Sequence, residues 1–197
     1  MRLFVALSVP EAVKAAYAPV GEALRALLPK SSLRLVAPES MHLTLRFLGD
    51  VNERDVPALS DALRTALASS PALTLVAERL GTFPDLRFPR VVWGWVHDAS
   101  NADSVAVSEL AERVTSACTP FTQSPREERF VPHVTLARTH DIARPQAEQL
   151  AALVHAAQHT VYGAWSADAV HLVRSNFGEA PATSAPRYVD VAAFPLR

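Results

Sequence analysis

Two stretches of the chain alternate polar and apolar residues with a period of two, and each begins with a histidine. The second starts at His133, ninety-one residues after the first at His42. Side chains two residues apart project from the same face of a β-strand. The first stretch therefore predicts a strand with a polar and an apolar face, namely His42, Thr44 and Arg46 against Leu43, Leu45 and Phe47. We expect the apolar face in the core and the polar face in a cleft, because unpartnered polar groups are costly to bury.

The remaining apolar periodicity predicts a β-α-β-α-β order that occurs twice. In residues 2–83, strands are predicted at 2–8, 42–48 and 72–82, with helices at 11–28 and 54–68 and a short extra strand at 33–36. In residues 90–175, strands are predicted at 90–97, 133–139, 160–165 and 169–174, with helices at 101–118 and 146–158. A final strand is predicted at 187–192. The same order at similar spacing indicates an internal duplication within one domain that spans residues 1–197.

A duplication of this kind is expected to be pseudo-twofold, with equivalent strands meeting across the axis. The two histidine strands would then lie side by side, although they are far apart along the chain. We therefore expect two imidazoles and two threonine hydroxyls, from His42, Thr44, His133 and Thr135, to share one cleft.

Composition and charge limit the classes of function. The chain has 197 residues, 49% of them hydrophobic, and a formal net charge of −1, which predicts a globular protein with a substantial core. A neutral chain is not suited to tracking a long polyanion, since that affinity comes from many basic contacts with phosphates. A nucleic-acid end or a single nucleotide remains a suitable ligand.

Localisation and assembly are predicted from equally simple features. The single cysteine, Cys118, excludes an internal disulfide framework and fits a reducing compartment, where we expect it to pack in the core. The apolar residues 3–9 are too few for a signal peptide or a membrane span. We therefore expect a cytoplasmic protein that does not associate with a membrane, and we expect it to be a monomer.

Two imidazoles with adjacent hydroxyls suit a reaction that needs one general base and one general acid on opposite sides of a phosphorus atom. Histidine titrates near neutral pH, so one ring is available as the base and the other as the acid. Hydroxyls and an arginine would bind the non-bridging phosphate oxygens. The pattern thus predicts in-line cleavage of a phosphodiester, with no metal or cofactor required.

Several segments together carry a resemblance to a known family. They are His42-Leu43-Thr44-Leu45, His133-Val134-Thr135-Leu136, Arg2-Leu3-Phe4-Val5-Ala6, Arg46-Phe47-Leu48-Gly49, Pro89-Arg90-Val91-Val92-Trp93 and the run from Phe130 to Arg138. With these segments the chain resembles the two-histidine phosphoesterases over nearly its whole length. Within them it is similar to the RNA 2',3'-cyclic phosphodiesterases, historically called 2'-5' RNA ligases.

The resemblance implies a fold and an activity. The fold would be α+β and bilobal, with two antiparallel sheets flanking a central cleft and helices outside. The activity would be hydrolysis of 2',3'-cyclic phosphate at RNA or oligonucleotide ends to a 2'-phosphomonoester, with 2'-5' ligation to a 5'-hydroxyl as the same chemistry in reverse. No ATP is expected to take part, because the Gly-x-x-x-x-Gly-Lys-Ser/Thr loop is absent from the sequence.

The resemblance also implies roles for individual residues. His42 would protonate the leaving 3'-oxygen and His133 would activate water, while Thr44, Thr135 and Arg138 would bind the phosphate. Simple alternation places Arg138 on the face opposite His133, so a β-bulge or a strand end is needed to turn it into the cleft.

Further candidates and alternatives remain open. Phe130 and Arg129, next to the second motif, are candidate contacts with RNA by stacking and by charge. Trp93 and Trp95 share one strand face, and core packing is favoured over base stacking for both. The same site would also suit a small cyclic phosphate such as an ADP-ribose derivative. A nucleotide-binding module without turnover is a third alternative.

Overall fold

The computed structural model describes residues 1–100, 104–176 and 187–197. Within these ranges the strands are β1 (Arg2–Ser8), β2 (Leu33–Leu35), β3 (His42–Asp50), β4 (Leu73–Phe83), β5 (Val91–Asp98), β6 (His133–Thr139), β7 (Val161–Ala167), β8 (Ala169–Ser175) and β9 (Tyr188–Pro195). The α-helices are α1 (Glu11–Ala16), α2 (Ala18–Leu27), α3 (Val56–Leu67), α4 (Val105–Cys118) and α5 (Arg144–Ala156). Short 3₁₀ turns occupy Pro38–Ser40, Glu53–Asp55 and Thr119–Phe121.

The single helix predicted at 11–28 is wrong, because the structure divides this stretch into α1 and α2. The break lies at Tyr17, which ends α1 and precedes α2. Pro19 occupies the first turn of α2, where its missing N–H costs nothing. In a continuous helix the same proline would clash with the carbonyl of Ala15, so the chain starts a new helix instead.

The helix predicted at 101–118 begins at Val105 in the structure, and residues 101–103 lie outside the described residues. Its first turn is capped from outside the helix by Asp98, the last residue of β5. The Asp98 carboxylate accepts hydrogen bonds from the backbone N–H of Ala106 at 2.8 Å and of Val107 at 3.2 Å. A negatively charged carboxylate at a helix N-terminus also interacts favourably with the helix dipole.

All strand pairings among the described residues are antiparallel. The strands follow the order β7-β4-β5-β6-β3-β1-β8-β9, and β2 pairs with the C-terminal end of β6, at Ala137 to Thr139. We call β3, β1, β8 and β9 the first half-sheet and β7, β4, β5 and β6 the second half-sheet. The predicted α+β class is confirmed, but the two predicted sheets are joined into one, since Leu43 of β3 pairs with Val134 of β6.

The half-sheets do not follow the order of the chain. Strand β4 belongs to the first predicted repeat, at 2–83, yet it pairs with β5 and β7 in the second half-sheet. Strand β8 belongs to the second predicted repeat, at 90–175, yet it pairs with β1 and β9 in the first half-sheet. Each stretch therefore contributes a strand to the half-sheet that the other begins, and β2 of the first stretch also pairs with β6.

Leucine and valine side chains from one face of both half-sheets form a single core with the helices. Leu43, Leu45 and Val134 of the histidine strands are buried there with Leu59 of α3 and Leu110 of α4. The opposite face carries the histidines. None of the helices in the described part of the chain is both long and apolar enough to cross a membrane.

Cys118 lies at the end of α4 and is fully buried in the core, which confirms its predicted packing role. Burial raises the pKa of the Cys118 thiol to about 12. Because the reactive species is the thiolate, this thiol is unreactive at neutral pH.

Candidate active site

The two histidines lie where β3 and β6 meet. Leu43 and Val134 are paired there and fully buried. In an antiparallel pair the next positions on the other face are cross-strand neighbours, so His42 lies beside Thr135, and Thr44 lies beside His133. The structure thus brings together the four polar residues of the two motifs, diagonally arranged with each histidine next to the other strand's threonine.

A β-bulge turns the end of β3. Thr44 pairs with Ala6 and Arg46 pairs with Val5, so Leu45 has no partner on β1 and the alternation shifts by one residue. As a result Arg46 is buried, at 8% exposure, and Phe47 is exposed beside His42 and Thr44. The predicted faces of Arg46 and Phe47 were therefore wrong, and the two residues exchange places.

The same bulge occurs in β6. Thr135 pairs with Trp93 and Ala137 pairs with Val92, so Leu136 is the extra residue. Arg138 consequently turns to the face that carries His133, and it lines a cavity with His42 and both threonines. Simple alternation would have placed Arg138 on the face opposite His133. The bulge turns it into the cleft instead, as expected from the sequence.

Buried Arg46 connects β3 to the loop that precedes His133. Its guanidinium donates hydrogen bonds of 2.7 Å to the backbone carbonyls of Ser124 and Pro125. From the same loop, the hydroxyls of Thr122 and Ser124 donate to the carbonyl of Leu48. Arg46 thus holds the loop against β3, and its role is structural.

The backbone orients both imidazole rings in the same way. Nδ1 of His42 lies 2.9 Å from the carbonyl of Ser40, and Nδ1 of His133 lies 2.7 Å from the carbonyl of Val131. A carbonyl only accepts, so Nδ1 carries the proton in both rings. In the neutral rings, Nε2 is then the unprotonated nitrogen.

Aromatic side chains surround each imidazole. The Phe4 ring stacks on His42 with centroids 4.6 Å apart, and Tyr188 contacts it edge-on at 5.2 Å. Phe83 contacts His133 edge-on at 5.1 Å, with Trp93 at 6.1 Å. These rings take the place of water that would stabilise an imidazolium ion.

Burial lowers the pKa of both histidines. For His42 it lowers the pKa to about 4, opposed by the hydrogen bond to Ser40 and assisted by the charge of His133. For His133 burial again lowers the pKa, opposed by the Val131 carbonyl and by Glu127, and assisted by Arg138. Both rings are therefore neutral at physiological pH in the unliganded protein.

Two of the cavities on this face are lined by Thr44. The larger, of about 330 Å³, is lined by His42, Thr44, Thr135 and Arg138, and its size suits a nucleotide-sized ligand. The smaller, of about 90 Å³, lies beside His133 and is also lined by Thr44. Thr44 therefore lines both the cavity that His42 lines and the cavity that His133 lines.

The two other predicted RNA contacts are placed differently. Phe130 lines the smaller cavity with His133 and packs partly against the core. Arg129 is exposed and lines neither of the two cavities. Contact of Phe130 and Arg129 with RNA stays a prediction.

The predicted core packing of Trp93 and Trp95 is wrong. Both lie on the cleft face, where Trp93 contacts His133 and Trp95 lies under the guanidinium of Arg79, 3.5 Å from the ring centroid. The strand is valine-rich, but Val92 and Val96 supply the opposite, buried face. Alternation within 91–98 is the feature that would have separated the two sets.

Several residues that line the larger cavity were missed by sequence analysis, among them Arg187. Arg2 and Phe4 come from β1, Arg34 from β2 and Tyr188 from β9. Arg2 and Phe4 are two apart on a strand, so period-two alternation would have placed them on one face. Among residues 1–100, 104–176 and 187–197, no three His, Cys, Asp or Glu side chains are grouped so as to hold a metal ion.

Comparison with known proteins shows the family of the chain. A family model described as LigT like Phosphoesterase matches residues 7–93 and 101–180. A protein of Methanothermobacter thermautotrophicus, named RNA 2',3'-cyclic phosphodiesterase, is 27% identical over 197 residues, which covers 100% of this chain and 99% of the relative. One of Geobacillus stearothermophilus with the same name is 34% identical over 162 residues, or 82% of this chain. The match spans only 47%, about half, of that relative's length.

Among solved structures, that of the protein TT0787 of Thermus thermophilus aligns with a TM-score of 0.75 at 25% sequence identity. The alignment covers 100% of this chain and 98% of that one. The family model covers most of the chain, and the fold agrees over its full length. The chain therefore belongs to the LigT-like phosphoesterase family, within the two-histidine phosphoesterases.

Proposed function

We propose that the protein hydrolyses 2',3'-cyclic phosphate ends of RNA to 2'-phosphomonoesters, with His42 and His133 as acid and base. The observation that carries this proposal is the diagonal arrangement of two imidazoles and two threonines around the Leu43–Val134 pair. The name shared by the Methanothermobacter and Geobacillus relatives supports the same substrate.

In the proposed reaction, Nε2 of His133 removes a proton from water as the water oxygen bonds to phosphorus. The bond from phosphorus to the 3'-oxygen breaks on the opposite side, and Nε2 of His42 gives that oxygen a proton. The product is a 3'-hydroxyl and a 2'-phosphomonoester. The two rings then exchange one proton through solvent, which restores the starting state.

The threonines and Arg138 act on the phosphate itself. The hydroxyls of Thr44 and Thr135 donate hydrogen bonds to the non-bridging oxygens, whose charge grows in the transition state. The guanidinium of Arg138 adds charge-assisted hydrogen bonds to the same group. These contacts are in place before reaction, so no reorganisation is required when the charge develops.

Substrate binding supplies the proton that His42 needs as an acid. In the unliganded protein its pKa is about 4, so the ring is neutral. A phosphate anion placed between the two threonines favours the charged form of a neighbouring imidazole and raises its pKa. The bound substrate thus charges the ring that later protonates its leaving group.

The test is incubation of the purified protein with a short oligonucleotide that ends in 2',3'-cyclic phosphate, in the presence of EDTA. We expect complete conversion to the 2'-phosphomonoester, since acid, base and phosphate ligands are all side chains. A 3'-phosphate product, or activity that only added zinc or manganese restores, would contradict the proposal. An added 5'-hydroxyl oligonucleotide tests 2'-5' ligation, the reverse reaction.

ADP-ribose 1'',2''-cyclic phosphate tests the second candidate substrate in the same assay. It presents a cyclic phosphate on a small nucleotide without an RNA chain. A much higher kcat/KM for this compound than for the oligonucleotide would replace RNA as the substrate. Binding without turnover of either compound would instead favour a nucleotide-binding module.

A further inference from the structure

The larger cavity concentrates positive charge. Four guanidinium groups line it, from Arg2, Arg34, Arg138 and Arg187, and none of the described lining residues is acidic. All four arginines also act on the Tyr188 phenol, whose pKa burial raises and their charges lower. The whole chain has a formal net charge of only −1, so the cationic cavity is a local feature that attracts anions.

Two of these arginines are direct cross-strand partners. Arg34 of β2 pairs with Arg138 of β6. Side chains directly opposite each other on paired strands project from the same face, and both guanidinium groups line the same cavity.

Arg2 approaches the same cavity from β1. Its guanidinium carbon lies 5.2 Å from the centroid of the Phe47 ring, a cation–π geometry that restricts the position of the charge. Phe47 occupies this place because of the bulge at Leu45. The bulge therefore places an aromatic support for a cation beside the proposed phosphate site.

The charge in the cavity exceeds what the proposed reaction needs. A 2',3'-cyclic phosphate is a monoanion, and Arg138 with two threonine hydroxyls is sufficient to bind it. Resting on the proposed function, we infer that Arg34 and Arg2 form a second phosphate subsite, which binds the 5'-linked phosphodiester of the terminal nucleotide. Arg138 is the strand partner of Arg34 and lines the cavity together with both threonines.

The geometry favours this particular phosphate. Paired strands are about 4.8 Å apart, so Arg34 carries its positive charge on the strand next to that of Arg138. The 5'-linked phosphodiester is the charged group next to the cyclic phosphate in every oligonucleotide end, and a cyclic mononucleotide lacks it. The cavity, at about 330 Å³, is large enough for a nucleotide carrying both groups. The subsite would therefore distinguish RNA ends from cyclic mononucleotides.

The experiment compares three substrates: 2',3'-cyclic AMP, the same compound with a 5'-phosphate, and the dinucleotide ApA with a 2',3'-cyclic phosphate. Hydrogen bonds to charged groups contribute enough to expect about a 10- to 100-fold higher kcat/KM for the last two. In Arg34→Gln this ratio should fall toward one, mainly through KM. Arg144→Gln, which changes an exposed arginine on α5 paired with Glu148, is the matched control and should keep the wild-type ratio.

Two outcomes overturn the inference. One is equal kcat/KM of the wild type for substrates with and without the 5'-linked phosphate. The other is a loss of the same size on all three substrates in Arg34→Gln, which would indicate general electrostatics or a structural role. Circular dichroism of each variant checks folding, and Arg2→Gln repeats the test from the other side of the cavity.

A binding measurement separates this inference from the proposed function. Adenosine 2',5'-bisphosphate and adenosine 2'-monophosphate are titrated by calorimetry into the wild type and Arg34→Gln. We expect the wild type to prefer the bisphosphate and the variant to lose that preference. If no substrate is hydrolysed but this preference is seen, the proposed function fails and the second subsite stands. If hydrolysis occurs without the preference, the second subsite fails.

Discussion

Ser40 and Val131 stand in the same relation to the two histidines: each presents its backbone carbonyl to the Nδ1 of a ring two residues later. The tautomer of both rings is thus set by main-chain atoms. Side-chain changes at Ser40 or Val131 leave those carbonyls in place. The reactive nitrogens therefore depend on the path of the backbone into β3 and β6.

Removal of either imidazole should abolish most turnover. A positioned acid or base contributes roughly 10²–10⁴-fold, so we expect kcat of His42→Ala and of His133→Ala to fall by that factor. His140→Ala is the control, because His140 is exposed at the end of β6. Near-wild-type kcat in either catalytic variant, with an unchanged circular dichroism spectrum, would remove that histidine from the mechanism.

The threonine hydroxyls should affect binding as well as rate. Each donates to a charged phosphate throughout the reaction, so we expect Thr44→Val and Thr135→Val to raise KM and lower kcat, together about 10- to 100-fold in kcat/KM. Steady-state kinetics on the cyclic-ended oligonucleotide measure both constants. An unchanged KM in both variants would show that these hydroxyls do not hold the phosphate in the ground state.

Acid should destabilise the protein through the buried histidines. The pKa of His42 is about 4 in the folded state and near 6.5 when unfolded. Between these values the unfolded chain binds the additional proton, so the free energy of unfolding falls as the pH falls. The contribution is fully present above about pH 6.5 and is lost by about pH 4, and it amounts to about 3 kcal/mol for His42. The pKa of His133 is also lowered by burial, so this residue likewise decreases the free energy of unfolding as the pH falls.

Urea denaturation at neutral and acidic pH measures this effect. His42→Gln should lose less stability on acidification than the wild type, whereas His140→Gln should lose the same amount. If the wild type and His42→Gln respond identically, His42 does not remain neutral in the folded protein at acidic pH.

Arg46 should matter for stability. Arg46→Met removes two hydrogen bonds to the Ser124 and Pro125 carbonyls and leaves acceptors in a partly buried place. We expect a loss of about 2–4 kcal/mol in the free energy of unfolding. Arg64→Met is the control, since Arg64 forms an exposed ion pair with Asp61 on α3, and its loss should be below about 1 kcal/mol. Equal effects would show that Arg46 does not anchor the loop.

Sequence periodicity predicted most of the elements and the meeting of the histidine strands. It failed at Phe47, because a bulge depends on how β1 pairs with β3, and no local pattern encodes that pairing. For Arg138 the bulge was required only because a family resemblance demanded a particular face. Asp98 as the cap of α4 also depends on a tertiary approach, since it lies eight residues before the N–H that it accepts from.

The helix break before Pro19 was predictable, because proline disfavours a helix interior wherever it occurs. Arg34 illustrates the opposite limit. It lies on a three-residue strand whose partner, β6, is a hundred residues further along the chain, and only the folded sheet shows that its neighbour is Arg138. The role of a residue that acts through such a distant pairing can be recognised only from the structure.

The placement of β4 and β8 in each other's half-sheets has a consequence for the origin of the fold. Residues 1–83 alone would leave β4 without β5 and β1 without β8. In a dimer of two such half-length chains, β4 of each copy can pair with β1 of the other copy. Both strands then have a partner, and the result is a symmetric strand-swapped dimer. In that dimer the single site between the paired histidine strands would contain one histidine from each copy. In the order β1, β3, β4 followed by β5, β6, β8, the present chain has the connectivity that results when two such subunits are fused end to end.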